Sequence, residues 1–142
     1  MPPLALLIGL AVAIDGDTLR IDGQRIRLHG IDAPESRQEC RIEQRPYPCG
    51  REATAYLAAL IAGGTVSCTE RDRDRHRRVV AVCTVDGRDI AAVLVEAGQA
   101  VAFTRYSNDY LPHQERAQAA RAGLWRGEFA MPWDWRATVS PR

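Results

Sequence analysis

The chain has 142 residues and carries 19 basic against 18 acidic side chains, a formal net charge of +1. Its 46% hydrophobic and 26% charged fractions are those of a folded domain, and the near-neutral balance excludes a broad basic surface for wrapping nucleic acid. Every basic residue is arginine, which excludes catalysis by a Schiff-base or P-loop lysine. We expect one domain over residues 1–142.

The N-terminal segment is apolar for about a dozen residues, which is too short to cross a bilayer. It is similar to the core of a signal peptide, and Ala11-Val12-Ala13 has the form of a cleavage site. However, no basic residue precedes this segment, and cleavage there would remove the strand that leads into Asp15. We therefore predict a first strand here, and allow for the end of a trimmed leader ahead of it.

Turn signals and apolar patterns organise the rest of the chain. Asp-Gly pairs at 15–16, 22–23 and 86–87 lie between β-like runs and indicate hairpins. We predict strands at 18–21, 24–29, 65–69 and 79–85, and helices at 51–62, 90–97 and 109–122, each helix followed by glycine. Strands come early and helices late, without βαβ alternation, which favours an α+β domain around a small twisted barrel.

Four cysteines, Cys40, Cys49, Cys68 and Cys83, lack the close C-x-x-C spacing of zinc or redox sites. Three pairings are open. We favour Cys40 with Cys49 and Cys68 with Cys83, which implies an oxidising compartment and hence a secreted or periplasmic protein. Four buried free thiols are the alternative.

Carboxylates follow two of the turns. Asp17 comes after the first Asp-Gly pair, and Asp32 and Glu35 flank Pro34, which restricts how they project. Such hard oxygen ligands suit Ca²⁺ or Mg²⁺ rather than a soft metal. Taken alone, acidic residues at hairpin ends are more often turn formers.

Arginine residues elsewhere in the sequence strengthen the prediction of a metal site at these carboxylates. Arg27 lies on the polar face of the 24–29 strand, together with Arg25 and His29. The run at 71–78 holds five more arginines and reads mostly as a solvated loop with local ion pairs. Arg78 differs because the apolar strand at 79–85 follows it directly, and an anchored arginine beside a metal-bound phosphate is what phosphoryl chemistry requires.

Together these segments resemble the staphylococcal nuclease-like (thermonuclease) family. The resemblance rests on Asp15-Gly16-Asp17-Thr18, Arg27-Leu28-His29-Gly30-Ile31-Asp32-Ala33-Pro34-Glu35, Asp74-Arg75-His76-Arg77-Arg78 and Ala119-Ala120-Arg121-Ala122-Gly123-Leu124-Trp125. It covers about 7–125, and the segment at 27–35 is the most specific part. The resemblance therefore implies a domain core at about 7–125 and a C-terminal tail at 126–142.

The resemblance implies an OB-fold five-stranded β-barrel with three helices. It also implies a Ca²⁺-dependent phosphodiesterase, with Mg²⁺ as an alternative ion, that hydrolyses DNA and RNA by water attack and leaves 3′-phosphate ends. The matching positions are Asp17, Asp32 and the carbonyl of Ala33 for the metal, Glu35 for the attacking water, and Arg27 and Arg78 for the phosphate. We expect a monomer without membrane association.

The sequence departs from the family pattern around the substrate. His76 replaces a common tyrosine and Arg77 a usual glycine, while the aromatic pair that flanks the nucleotide becomes Phe103 and Arg105, with Tyr106 adjacent. We take His76, Phe103, Arg105 and Tyr106 as candidate substrate-binding residues. The alternative function is a non-catalytic OB-fold module that binds nucleic acid or protein. Residues 39–50 form an extension to which we assign no role.

Overall fold

The computed structural model of the protein describes residues 6–139. The strands are β1 (Leu6–Gly9), β2 (Ala11–Asp15), β3 (Thr18–Ile21), β4 (Gln24–Leu28), β5 (Ile31–Asp32), β6 (Cys40–Ile42), β7 (Arg45–Tyr47), β8 (Val66–Arg73), β9 (Val79–Val85), β10 (Arg88–Asp89) and β11 (Val101–Ala102). The helices are α1 (Cys49–Ile61), α2 (Ile90–Glu96), α3 (Leu111–Ala120) and α4 (Pro132–Val139), and a 3₁₀ turn spans Gly123–Arg126.

The main sheet curls back on itself. Its strand order is β1-β8-β9-β4-β3-β2, with β10 added beside β9. Because only Leu10 separates β1 from β2, the two ends of this order belong to one nearly continuous stretch of chain. Counting that stretch once leaves five long strands, and the predicted α+β, OB-like fold is confirmed. β4 and β9 run parallel, which brings Arg27 opposite Val80.

The interior of the curled sheet is filled by alternating apolar side chains and closed by α1. Along β9 the buried residues are Val79, Ala81, Cys83 and Val85, the period-2 pattern of a half-buried strand. α1 adds Leu57 to the same core. Each fully buried side chain of this size contributes about 1.5–3 kcal/mol relative to exposure.

A second, smaller core lies beside the barrel. Its buried members are Cys40, Cys49, Val101 and Leu124, and the side chains packed on it are Tyr47, Trp125, Phe129, Met131 and Trp133. The β6–β7 hairpin supplies one side, and Arg41 exchanges two backbone hydrogen bonds of 2.8 Å with Glu128. The 39–50 extension therefore holds the C-terminal segment against the domain.

Both favoured disulfides are present. Cys40 is bonded to Cys49 across the β6–β7 hairpin, and Cys68 is bonded to Cys83. Cys68 and Cys83 are direct partners in the register of β8 and β9, so the bond joins two neighbouring strands. None of the helices within residues 6–139 has the length and apolar composition needed to cross a membrane.

Several element bounds differ from the predictions. β8 continues to Arg73, so the first part of the arginine run is strand rather than loop. The N-terminal apolar segment is strand from Leu6 onward, while residues 1–5 of the suggested leader lie outside the described part. The three expected helices are present, but a fourth, α4, forms in the tail. The sequence does not predict α4 because its apolar periodicity is weak. So short a helix depends on tertiary packing for its stability.

Candidate active site

A cleft of about 890 Å³ opens over β4 and the β8–β9 hairpin. The sequence-predicted residues that line it are Asp17, Arg27, Glu35, Arg78, His76, Phe103 and Tyr106. Asp32 and Ala33 are buried but contact lining residues. Arg105 is not part of the lining, so the structure does not bring this candidate substrate-binding residue to the cleft.

The turn between β2 and β3 places Asp17 against Ala33. The backbone N–H of Ala33 donates to Asp17 Oδ2 at 2.8 Å, and Thr18 Oγ1 donates to Oδ1 at 3.0 Å. Gly16 is required in this turn because a Cβ there would lie 2.8 Å from the Cβ atoms of both Ala33 and Ala53. The Asp-Gly-Asp motif thus reflects close packing of the turn on the Asp32 segment and on α1.

Arg27 on β4 bridges the two predicted metal-binding carboxylates. Its Nη1 lies 3.4 Å from Asp17 Oδ2 and its Nη2 lies 3.5 Å from Asp32 Oδ1. Nη2 also donates to the carbonyl oxygen of Ile31 at 3.3 Å. Burial lowers the pKa of Arg27, but the charges of Asp17 and Asp32 outweigh it and raise that pKa above its ordinary value.

Asp15 is a site residue to which the sequence analysis assigned no role. It lines the cleft beside Asp17 and accepts the Asp17 N–H at 3.3 Å. Burial and the charge of Asp17 raise the pKa of Asp15 to about 7. Burial also opposes ionisation of Asp17, but Arg27 and the hydrogen bonds to Asp17 lower its pKa overall. These shifts favour ionisation of Asp17 over ionisation of Asp15.

Asp74 organises the turn that presents Arg78. Its Oδ1 accepts the N–H groups of His76 and Arg78, both at 2.9 Å, and its Oδ2 lies 2.7 Å from Arg78 Nε. Arg77 has a φ of 64°, in the left-handed region that glycine adopts most easily. Arginine therefore occupies a turn position where the resembled family usually has glycine.

Arg136 of α4 closes the other side of the cleft. Its Nη1 and Nη2 donate to the two oxygens of Asp32 at 3.1 and 2.8 Å, and Nη1 also donates to Glu35 Oε1 at 3.0 Å. These hydrogen bonds raise the pKa of Arg136, whereas burial raises the pKa of Asp32. No sequence signal pointed to Arg136, because 104 residues separate it from Asp32.

Comparison with known proteins assigns the family. The sequence model described as "Staphylococcal nuclease homologue" matches residues 25–127. The chain belongs to the staphylococcal nuclease family. The matched segment contains Arg27, Asp32, Glu35 and Arg78, whereas α4 with Arg136 lies outside it.

Several relatives of this staphylococcal nuclease homologue are similar over most of its length. "Succinoglycan biosynthesis protein ExoI" of Rhizobium meliloti (strain 1021) is 39% identical over 126 residues, covering 86% of this chain and 66% of that protein. An "Uncharacterized endonuclease" of Escherichia coli is 36% identical over 131 residues, covering 87% and 80%. "Probable staphylococcal-like nuclease CAN1" of Oryza sativa subsp. japonica is 32% identical over 124 residues, covering 85% of this chain but only 35% of its own length.

Aromatic side chains form one wall of the cleft in this staphylococcal nuclease homologue. The ring of Phe103 stacks on that of Trp133 at a centroid distance of 5.2 Å, and Tyr106 meets Phe103 edge-on at 4.9 Å. Tyr106 is 72% exposed, which leaves its ring accessible. α4 therefore supplies Trp133, which packs against Phe103 of this wall, as well as Arg136, which binds the carboxylates.

The oxygen-rich part of the cleft contains no preformed group of three metal-binding side chains. Within residues 6–139, no three His, Cys, Asp or Glu residues are arranged to hold an ion. Asp17 and Asp32 are instead connected through Arg27, and Asp32 also through Arg136. Two carboxylates and a backbone carbonyl remain a donor set that hard divalent cations accept when water completes the shell.

Proposed function

We propose that this chain is a metal-dependent nuclease that hydrolyses phosphodiester bonds in DNA and RNA. The observation that carries the proposal is the convergence of Asp17 and Asp32 on Arg27, in a cleft that also holds Glu35 and Arg78. Membership of the staphylococcal nuclease family and the endonuclease names of relatives support the same reaction class.

The donor chemistry fits Ca²⁺, with Mg²⁺ as the alternative ion. Asp17, Asp32 and the carbonyl of Ala33 would hold it, because all three supply hard oxygen atoms. The fully buried carboxylate of Asp32 forms ion pairs with the guanidinium groups of Arg27 and Arg136, so a divalent ion would meet a carboxylate that already binds positive charge. When bound, the ion neutralises the phosphodiester and favours ionisation of a nearby water.

Three side chains then have separate roles in the hydrolysis. Glu35 accepts a proton from the attacking water, whose oxygen bonds to phosphorus as the bond from phosphorus to the 5′-oxygen breaks. Arg27 and Arg78 bind the phosphate and stabilise the charge that develops on its oxygens. The departing 5′-oxygen takes up a proton from solvent water, so the products are a 3′-phosphate end and a 5′-hydroxyl end.

The cleft also suggests where the nucleotide lies. The exposed ring of Tyr106 beside Phe103 offers a surface on which a base can stack, and His76 of the β8–β9 hairpin also lines the cleft. Stacking on aromatic rings tolerates every base, which is consistent with action on both DNA and RNA. Arg105 would have to contact nucleic acid outside the cleft.

The compartment follows from the disulfides. Two disulfide bonds indicate folding in an oxidising environment, and we propose a secreted or periplasmic monomer. Because this chain spans 66% of the Rhizobium relative and 35% of the rice relative, the proposal concerns the nuclease domain described here.

Digestion of plasmid DNA and of RNA, with Ca²⁺, with Mg²⁺ and with EDTA, tests the proposal. Cleavage should require a divalent ion and should fall about 10²–10³-fold in Arg27→Ala and in Arg78→Ala, because each loses a preorganised donor to the phosphate. Arg25→Ala is the matched control, since Arg25 lies on the same strand but is exposed. Absence of cleavage with every ion, together with retained oligonucleotide binding, would favour the non-catalytic OB-fold module.

A further inference from the structure

The Arg136 guanidinium is hydrogen-bonded to carboxylate oxygens that the proposed reaction needs for metal binding and for proton transfer. It engages both oxygens of Asp32 and one oxygen of Glu35, at 2.8 to 3.1 Å. Asp32 is a proposed metal ligand and Glu35 the proposed proton acceptor. One side chain therefore holds both groups in this arrangement of the cleft.

A divalent ion and this guanidinium compete for the same carboxylate. The paired geometry on Asp32 uses both of its oxygens, which is the strong, charge-assisted arrangement of arginine with carboxylate. A cation bound directly to Asp32 would lie within a few ångströms of the guanidinium, and like charges at that distance repel strongly in a partly buried site. The two cations therefore favour different arrangements of the cleft.

The C-terminal helix can release this contact without unfolding the barrel. Pro132 is the buried residue of α4, while its last three described residues are exposed. Arg136 is itself 38% exposed. Trp133 joins the second core at its margin rather than the barrel interior. Movement of α4 would thus leave the barrel core intact and disturb the contacts of Pro132 and Trp133.

We propose that Arg136 is an internal counter-cation that holds Asp32 and Glu35 in the metal-free protein and must leave them when a divalent ion binds. The inference rests on the proposed metal-dependent function. α4 then acts as a cap over the cleft, and loading of the ion is coupled to release of the cap. Before the ion binds, Arg136 neutralises the carboxylates of Asp32 and Glu35 and keeps both side chains in place.

Calorimetric titration of Ca²⁺ into the wild-type protein, Arg136→Gln and Arg136→Lys measures the competition directly. Arg136→Gln should bind Ca²⁺ at least about tenfold more tightly, because no positive charge has to be displaced. Arg136→Lys should be intermediate, since lysine keeps the charge but lacks the fork that spans two oxygens. Arg126→Gln is the matched control: Arg126 also pairs with a carboxylate, Glu52, but on an exposed surface outside the cleft.

Amide hydrogen exchange supplies a second readout that is independent of activity. Exchange in residues 132–139 should rise when Ca²⁺ is added to the wild-type protein, and should already be raised in metal-free Arg136→Gln. Equal or weaker Ca²⁺ binding by Arg136→Gln would overturn the inference while leaving the proposed function intact. If Arg136→Gln fails to fold, an unchanged affinity in Arg136→Lys overturns it equally. Failure of the wild-type protein and all variants to bind Ca²⁺ or Mg²⁺ would instead overturn the metal dependence itself.

Discussion

Asp74 shows how one side chain can set the position of another. The arginine run predicted local ion pairs and an anchored Arg78, and both are found, but the anchor is Asp74 as well as the strand. The ion pair engages Arg78 Nε, while Asp74 Oδ1 receives two backbone N–H groups. Sequence alone could not choose between Asp72 and Asp74 as the partner, because both lie within reach of several arginines.

Replacing Asp74 should therefore impair the role proposed for Arg78. Asp74→Asn keeps the size but weakens the turn and the ion pair, so we expect turnover to fall by up to about 100-fold through misplacement of the guanidinium. Asp72→Asn is the control, since Asp72 Oδ1 accepts the N–H of its neighbour Arg73. Steady-state kinetics on a defined oligonucleotide measure the effect. Equal activity of the two variants would show that Asp74 does not position Arg78.

The ion pair between Asp74 and Arg78 also depends on pH. Slight burial raises the pKa of Asp74, but hydrogen bonds and charge from Arg78 outweigh it, so the pKa lies below its ordinary value. A carboxylate with a lowered folded-state pKa stabilises the fold above its unfolded pKa and loses that contribution as pH falls through the folded value. The arrangement is therefore intact at neutral pH.

At the scale of elements, the start of α1 fixes the Glu35 segment. The Gly50 N–H donates to the carbonyl oxygen of Gln38 at 3.1 Å, and the Gln38 N–H donates to the Glu35 carbonyl oxygen at 2.8 Å. A Cβ on Gly50 would overlap the Glu35 carbonyl oxygen. The sequence predicted the helix, but its start at Cys49 and its contact with Glu35 depend on the disulfide-bonded hairpin before it.

Gly50→Ala should therefore disturb activity together with stability. The overlap with backbone should lower the free energy of unfolding by about 1–3 kcal/mol and shift Glu35 from the cleft. Gly87→Ala is a matched control: Gly87 has a φ of 76° and open space around it, so alanine should cost about 1–2 kcal/mol by conformation alone. Denaturant unfolding and turnover measured on both variants separate the effects. Loss of activity in Gly87→Ala but not in Gly50→Ala would contradict this account.

At the scale of the whole molecule, the second core connects the disulfide-bonded hairpin to α4. The β6–β7 hairpin pairs with Glu128, and the Gln38 side chain donates to the carbonyl oxygen of Ala130 at 2.8 Å. Trp133 then packs between this core and Phe103. The extension that carried no assigned role in the sequence therefore places α4 over the cleft.

Removing either disulfide should destabilise the fold, but only one removal should loosen α4. Cys40→Ala/Cys49→Ala and Cys68→Ala/Cys83→Ala should each lower the free energy of unfolding by about 2–4 kcal/mol, because each bond restricts the unfolded chain. Only removal of the Cys40–Cys49 bond should speed amide exchange in residues 127–139. Denaturant unfolding and hydrogen exchange make the comparison. Similar exchange at this segment in both variants would show that the hairpin does not hold the C-terminal segment.

The sequence by itself determined the features that depend on near neighbours. Asp-Gly turns, alternating strands and the carboxylate-proline segment are all encoded within short stretches, and all are found. The sequence favoured the two disulfides but left other pairings open, and the structure contains both. Only the tertiary structure decided that Arg136 pairs with Asp32 and Glu35, and that burial and the charge of Asp17 raise the pKa of Asp15. These outcomes depend on burial and on contacts between distant parts of the chain. The all-arginine composition excluded lysine chemistry, but folding selected which arginines, Arg27 and Arg136 among them, neutralise the buried carboxylates.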